Sequence, residues 1–161
     1  MSDATIYERL GVRPVINGMG NWTVLGGSIM PPEVLRAMAD AAGAFVSLSE
    51  LREKAGSRIA RLVGVPAAMV TAGAASAISA ATAACMTLGD ADAVARLPNT
   101  SGLRIEVILQ LAHRTGYEPQ IELNGARLVW GETRDELIHA IGNRTAMLFF
   151  LNFAEPPGRL G

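Results

Sequence analysis

Three places in the chain carry residue types that could do chemistry together. Thr71-Ala72-Gly73-Ala74-Ala75 is a turn of small residues between the apolar run Ala68-Met69-Val70 and an Ala- and Ser-rich stretch reaching Met86. His113 follows the apolar run IEVILQL, and Asn152 follows TAMLFFL. The first turn of a helix leaves backbone N–H groups without internal partners, and Gly73 has no Cβ to keep an anion's oxygens away from them. A phosphate suits that turn. An imidazole at His113 can stack on a flat ring, and the Asn152 amide can hydrogen-bond a ring substituent. The ligand class these groups fit is a phosphorylated aromatic. Each also has a plain structural explanation: small residues let a helix pack closely, and a histidine at a strand end can be part of the core.

Other chemistries find little support. Lys54 is the only lysine beside thirteen arginines, so an amine nucleophile within this sequence is Lys54 or nothing. The single cysteine, Cys85, sits among alanines, where a small buried hydrophobe is expected rather than a reactive thiol. Two histidines and one cysteine, none at ligand spacing, give no metal site, and His139 falls on the solvated face of a helix. No GxGxxG follows the glycine-turn strand, and neither GxxxxGK[ST] nor GxSxG occurs, which removes the usual dinucleotide, triphosphate and hydrolase loops. A formal net charge of -1 and a pI near 6.1 give no electrostatic reason to expect nucleic acid or an anionic membrane as partner. MSDATIYERLG has no signal-peptide pattern and no uninterrupted apolar run is long enough for a span, so the expected location is cytoplasmic.

The elements that must position these groups follow from periodicity and punctuation. Thr5 to Gly11 reads as a short helix or turn. Residues 15–34, VINGMGNWTVLGGSIMPPEV, form an apolar arm broken by glycines that must hide its side chains against its own domain or a second subunit. Pro31-Pro32-Glu33 starts a helix with Val34, Leu35, Met38 and Ala42 on one stripe, ending near Gly43. Ser47 or Ser49 caps a second helix that Gly64 and Pro66 stop. A strand at Ala68–Val70 then feeds, through the Gly73 turn, a helix opening near Ala75 or Ser76. After a loop with a helical turn at Asp92 to Arg96, strands follow at Ile105–Leu111, Ala126–Trp130 and Thr145–Leu151. Tyr117 to Gly125 fits no element clearly. Thr133 and Glu136 make a capping box for a helix whose Leu137, Ile138 and Ile141 face inward. Near-continuous apolar strands separated by helices imply an α/β fold, a partial and mainly parallel sheet covered by helices, with ligands at the carboxyl ends of the strands. Residues 1–66 form an arm and helices, and residues 67–161 an incomplete α/β domain.

The run GVRPVINGMGNWTVLGGSIMPPEVLRAM, the turn VTAGAASA, the segment LPNTSGLRIEVILQLAHRTGY, then GARLVWGETRDELIHAI and RTAMLFFLN together resemble the N-terminal part of the selenocysteine-synthase-like family. These are pyridoxal-phosphate enzymes of the aspartate-aminotransferase fold (fold type I), with relatives that include ammonia-lyases of phosphorylated amino sugars. The resemblance covers essentially the whole chain. It implies pyridoxal phosphate as cofactor, with Ala72, Gly73, Ala74 and Ala75 as the phosphate turn and His113 over the pyridine ring. It implies an amino acid or amino sugar as substrate, a homo-oligomer, and an arm from Asn17 to Met30 near a subunit interface. The family's aspartate for the pyridine nitrogen and its Schiff-base lysine lie further along than residue 161, and Lys54 falls in a helix upstream of the phosphate turn. No catalytic residue is therefore assigned. The expectation is a truncated lyase or transferase, its closing FAEPPGRLG interrupted in mid-domain, with weak cofactor binding at most. The alternative is a non-catalytic assembly segment that pairs with itself or with a complementary chain.

Overall fold

The structure, a computed structural model, describes residues 5–151; Asn152 and the residues after it lie outside that range. The chain divides into two compact units, Met1–Lys54 and Ala55–Gly161, the boundary falling inside a helix.

In the first unit, α1 (Ile6–Arg9) is held by a capping box: the Glu8 N–H donates to Thr5 Oγ1 at 3.2 Å and the Thr5 N–H to Glu8 Oε2 at 2.7 Å. The arm that follows has no regular structure until a 3-10 turn at Thr23–Leu25, closed by an antiparallel bridge between Trp22 and Gly27. α2 (Pro32–Ala42) starts with proline and Glu33 in its first turn and ends at Gly43, as the sequence predicts. α3 (Leu48–Val63) begins after Ser47, whose Oγ accepts from the Glu50 N–H at 3.4 Å. From Thr5 to Lys54 every residue except Gly27 is exposed, so the apolar stripe Val34, Leu35 and Met38 is on the surface.

In the second unit, α3 stops at Gly64, whose φ of 76° a Cβ would disfavour. The predicted strand at Ala68–Val70 is not one. It is an irregular segment that joins no sheet among the described residues, with Met69 59% and Val70 54% exposed, and the Ala68 backbone instead lies against Gly56 of α3. An apolar run of strand length cannot say whether a neighbour will pair with it. α4 (Ala74–Thr87) follows, opening at Ala74 rather than one or two residues later. Its two buried threonines return their hydroxyls to the helix, Thr82 Oγ1 donating to the Ile78 carbonyl at 2.8 Å and Thr87 Oγ1 to that of Ala83 at 2.9 Å. Asp90 caps α5 (Ala91–Arg96) by accepting from the Asp92 and Ala93 N–H groups.

Among the described residues three strands make the sheet: β1 (Glu106–Gln110), β2 (Arg127–Gly131) and β3 (Thr145–Phe149), all parallel, in the order β2-β1-β3. Between β1 and β2, the segment without a clear reading contains α6 (Pro119–Glu122); between β2 and β3 lies α7 (Arg134–Ala140). Only the central strand is buried along its whole length. Val107 and Leu109 face a core with Met86 of α4, Ile121 of α6 and Ala126, against which Ile78, Met147 and Phe149 also pack. Ile108, fully buried, points to the other face, and α7 packs on β1 and β2. Opposite faces for α6 and α7 are what right-handed crossovers require when one connection moves outward from β1 and the next returns past it. Of the residues expected inward on α7, only Leu137 is, lying against Gly131; Ile138 is 52% and Ile141 58% exposed. Cys85 is half-buried, and among the described residues no helix is long and apolar enough to cross a membrane.

Candidate functional site

The expected phosphate turn is a helix opening without a side-chain cap. Gly73 is the N-cap residue of the fourteen-residue α4, and its carbonyl accepts the first helical bond from the Ala77 N–H at 3.0 Å and a second from Thr71 Oγ1 at 3.0 Å. Among the described residues no side chain caps the first-turn N–H groups. Ala72, Gly73 and Ala74 are exposed, Ala75 is half-buried, and space is open around the position a Gly73 Cβ would take. The bend is not plugged. Exposed, uncapped N–H groups at the positive end of a helix dipole are the donor set a phosphate needs, so these residues fit the phosphate of the expected cofactor. One turn on, Ile78 anchors the helix in the core, and at mid-helix the amide of Asn124 donates to Ser79 O at 2.9 Å and to its Oγ at 3.1 Å.

The second group sits at the carboxyl end of the central strand. After Gln110 the chain makes a 3-10 turn, Leu111–His113, and the imidazole is 1% exposed. Its ring meets that of Phe150 edge-on, centroids 4.8 Å apart and planes at 74°. A histidine buried to this degree is part of the packing of the strand end. The third group, Asn152, lies outside the described residues, although β3 ends only three residues before it. His139 is exposed, as expected, its Nδ1 2.6 Å from the Asp135 carbonyl oxygen.

Sequence reading missed what surrounds His113. Arg114 Cζ lies 6.0 Å from the centre of the Trp130 ring on β2, the outer reach of a cation–π contact. Glu118, 8% exposed, accepts from the Thr115 N–H at 2.6 Å and closes the turn after Arg114. Burial pushes the Glu118 carboxyl up, but the N–H groups of Thr115, Glu118 and Gly116, with the charge of Arg114, outweigh it and hold the group below the usual glutamate range. The acid three residues after Thr115 was the available signal; the partner strand that brings Trp130 alongside was not visible locally.

The fold is thus α/β, a three-stranded parallel sheet with helices among the described residues, with candidate groups at a helix opening and at the end of the central strand. The chain is 38% identical over 155 residues to the D-glucosaminate-6-phosphate ammonia lyase of Salmonella typhimurium, an alignment that covers 91% of this chain and 42% of that protein. It is 36% identical over 155 residues to a 5'-C-glycyluridine monooxygenase-decarboxylase of a Streptomyces species, covering 90% and 39% respectively. A solved structure of D-glucosaminate-6-phosphate ammonia-lyase superposes with a TM-score of 0.92 at 36% identity, over 99% of this chain and 46% of that one. The chain therefore spans less than half the length of these relatives. No family model matches it.

Proposed function

We propose that this chain is the cofactor-phosphate-binding part of a pyridoxal-phosphate-dependent lyase acting on a phosphorylated amino sugar acid, within the selenocysteine-synthase-like family. The likeness to the ammonia lyase, 38% identical in sequence and 0.92 in TM-score over nearly the whole chain, carries this reading. The uncapped, open N-terminus of α4 supports it, because Ala72 to Ala75 offer the donors for a phosphate. When bound, pyridoxal phosphate supplies an electron sink for the substrate's amino-bearing carbon. Ala72, Gly73, Ala74 and Ala75 bind and orient it through its phosphate, His113 closes the strand end beside the ring, and Asn152 is proposed to hold a ring substituent. The relatives are named for ammonia elimination and for oxygenative decarboxylation at almost equal identity over 155 residues each, so the shared part is suited to binding, and the groups that select the reaction belong elsewhere. Lys54, exposed on α3 before the phosphate turn, is not the amine for this chemistry.

The test is equilibrium dialysis with pyridoxal phosphate followed by borohydride reduction. Weak binding that disappears in Gly73→Asp, with no site-specific reduced adduct on Lys54, is expected. Binding that persists in Gly73→Asp, or stoichiometric trapping on Lys54, would falsify the assignment.

One observation favours a second reading, an assembly segment that pairs with a copy of itself. Ile16, Ile29 and Phe45 in the first unit are 104%, 97% and 109% exposed, apolar surface of a kind that proteins cover with a partner. Sedimentation separates the two: a monomer indifferent to removal of the residues before Pro31 rules the assembly out.

A further inference from the structure

We propose that Arg114 is an oxyanion-binding residue that selects the substrate, taking its phosphate or its carboxylate. The inference rests on the lyase reading for the substrate class, but its geometry is independent of it. Arg114 stands just beyond the carboxyl end of the central strand of a parallel sheet, where ligands of such sheets gather. Among the described residues no carboxylate forms an ion pair with its guanidinium. The ion pairs among the described residues join Arg127 and Arg144 to Glu106 at the amino end of β1, and Arg96 donates to the Ser101 carbonyl. Glu118, the acid whose ionisation Arg114 favours, accepts from the backbone of its own turn. The indole of Trp130 gives the guanidinium a resting surface without neutralising it, and the side chain remains exposed. An arginine placed over an aromatic ring keeps its fork of donors for a bidentate partner, a match for carboxylate or phosphate. Arg104, also without a described partner, precedes β1 and so lies at the wrong end of the strand.

Trp130 makes the proposal measurable. The sequence has two tryptophans, so Trp22→Phe leaves Trp130 as the sole indole reporter. Its emission is followed in titrations with inorganic phosphate, glucosamine 6-phosphate and gluconate, while pyridoxal phosphate binding is measured by dialysis in the same variants. Saturable binding of at least one sugar ligand is expected, weakened tenfold or more by Arg114→Gln, partly restored by Arg114→Lys and unchanged by Arg134→Gln. A response to glucosamine 6-phosphate alone assigns the phosphate, and one to gluconate alone the carboxylate. Equal affinities in the parent and Arg114→Gln overturn the proposal, as does the absence of any saturable response from a parent whose circular dichroism is that of a folded chain. It is also overturned if Arg114→Gln abolishes pyridoxal phosphate binding and leaves the sugar ligands untouched. Failure of the parent to bind pyridoxal phosphate, with Arg114-dependent sugar binding intact, removes the cofactor assignment and leaves this one standing.

Discussion

Gly56 in the interior of α3 faces the carbonyl oxygen of Ala68 so closely that a Cβ on the glycine would overlap it. Both groups are backbone-bound, so neither can swing away. On an open helix Gly→Ala stabilises by about 1 kcal/mol. Here the sign reverses. Gly56→Ala is expected to lower stability by about 1–3 kcal/mol in urea titration, the usual range for overpacking. A stabilised variant would show that the 65–73 segment does not dock on α3.

At the amino end of the sheet, Glu106 is held by Arg127 and by Arg144 Nε, the latter at 3.1 Å, so one carboxylate ties the beginnings of all three strands. Its side chain is 12% exposed and each arginine's 59%. Losing the shared acceptor costs more than losing either donor, because both cations then lose their partner. Glu106→Gln is expected to destabilise by about 1–3 kcal/mol, and Arg127→Ala or Arg144→Ala by about 1 kcal/mol or less. A double-mutant cycle between the arginines checks the sharing; zero coupling would mean that Glu106 acts with only one of them.

Glu118 makes acid stability depend on the strand-end turn. Its carboxyl lies below the usual glutamate range in the folded chain, so its contribution is complete above the ordinary value of about 4.3 and is lost as pH falls from there through the lowered one. Glu118→Gln is expected to lose on the order of 1–2 kcal/mol at pH 7 and to show a flatter decline below pH 5. Parallel stability profiles for parent and variant over that acid range would contradict the assignment.

The capping box at Thr133 holds the start of α7, the Glu136 N–H donating to Thr133 Oγ1 at 3.2 Å and Glu136 Oε2 accepting from the Glu132 and Thr133 N–H groups. Thr133→Ala is expected to cost about 1 kcal/mol, and Thr133→Ser nearly nothing. Unfolding curves of the two variants that coincide would show that the hydroxyl does not act as a cap.

Where local chemistry sets an element, the chain is readable. The proline start of α2, the Gly64 stop of α3 and the capping box of α7 are each decided by side chains within four residues. The apolar runs of β1, β2 and β3 were also sufficient. Ala68–Val70 was misread because pairing is a property of two segments, and Ile138 and Ile141 because helical period gives a face but not the width of what covers it. In the candidate site, the turn at Gly73 was legible from its small residues and the end of β1 from the run before His113. The place of Trp130 beside Arg114 depends on the register Leu109 to Trp130 between strands, which no single window contains.

The order β2-β1-β3 bears on how the protein is made. Its most buried strand is the first of the three to leave the ribosome, yet both neighbours are encoded later, the second ending at Phe149. At about 5–20 residues per second, the roughly forty residues after Gln110 take about 2–8 s to add. Throughout that interval Val107, Ile108 and Leu109 have no lateral mate on at least one side, and a nascent chain stalled before β3 offers them to whatever chaperone or stray strand is nearest.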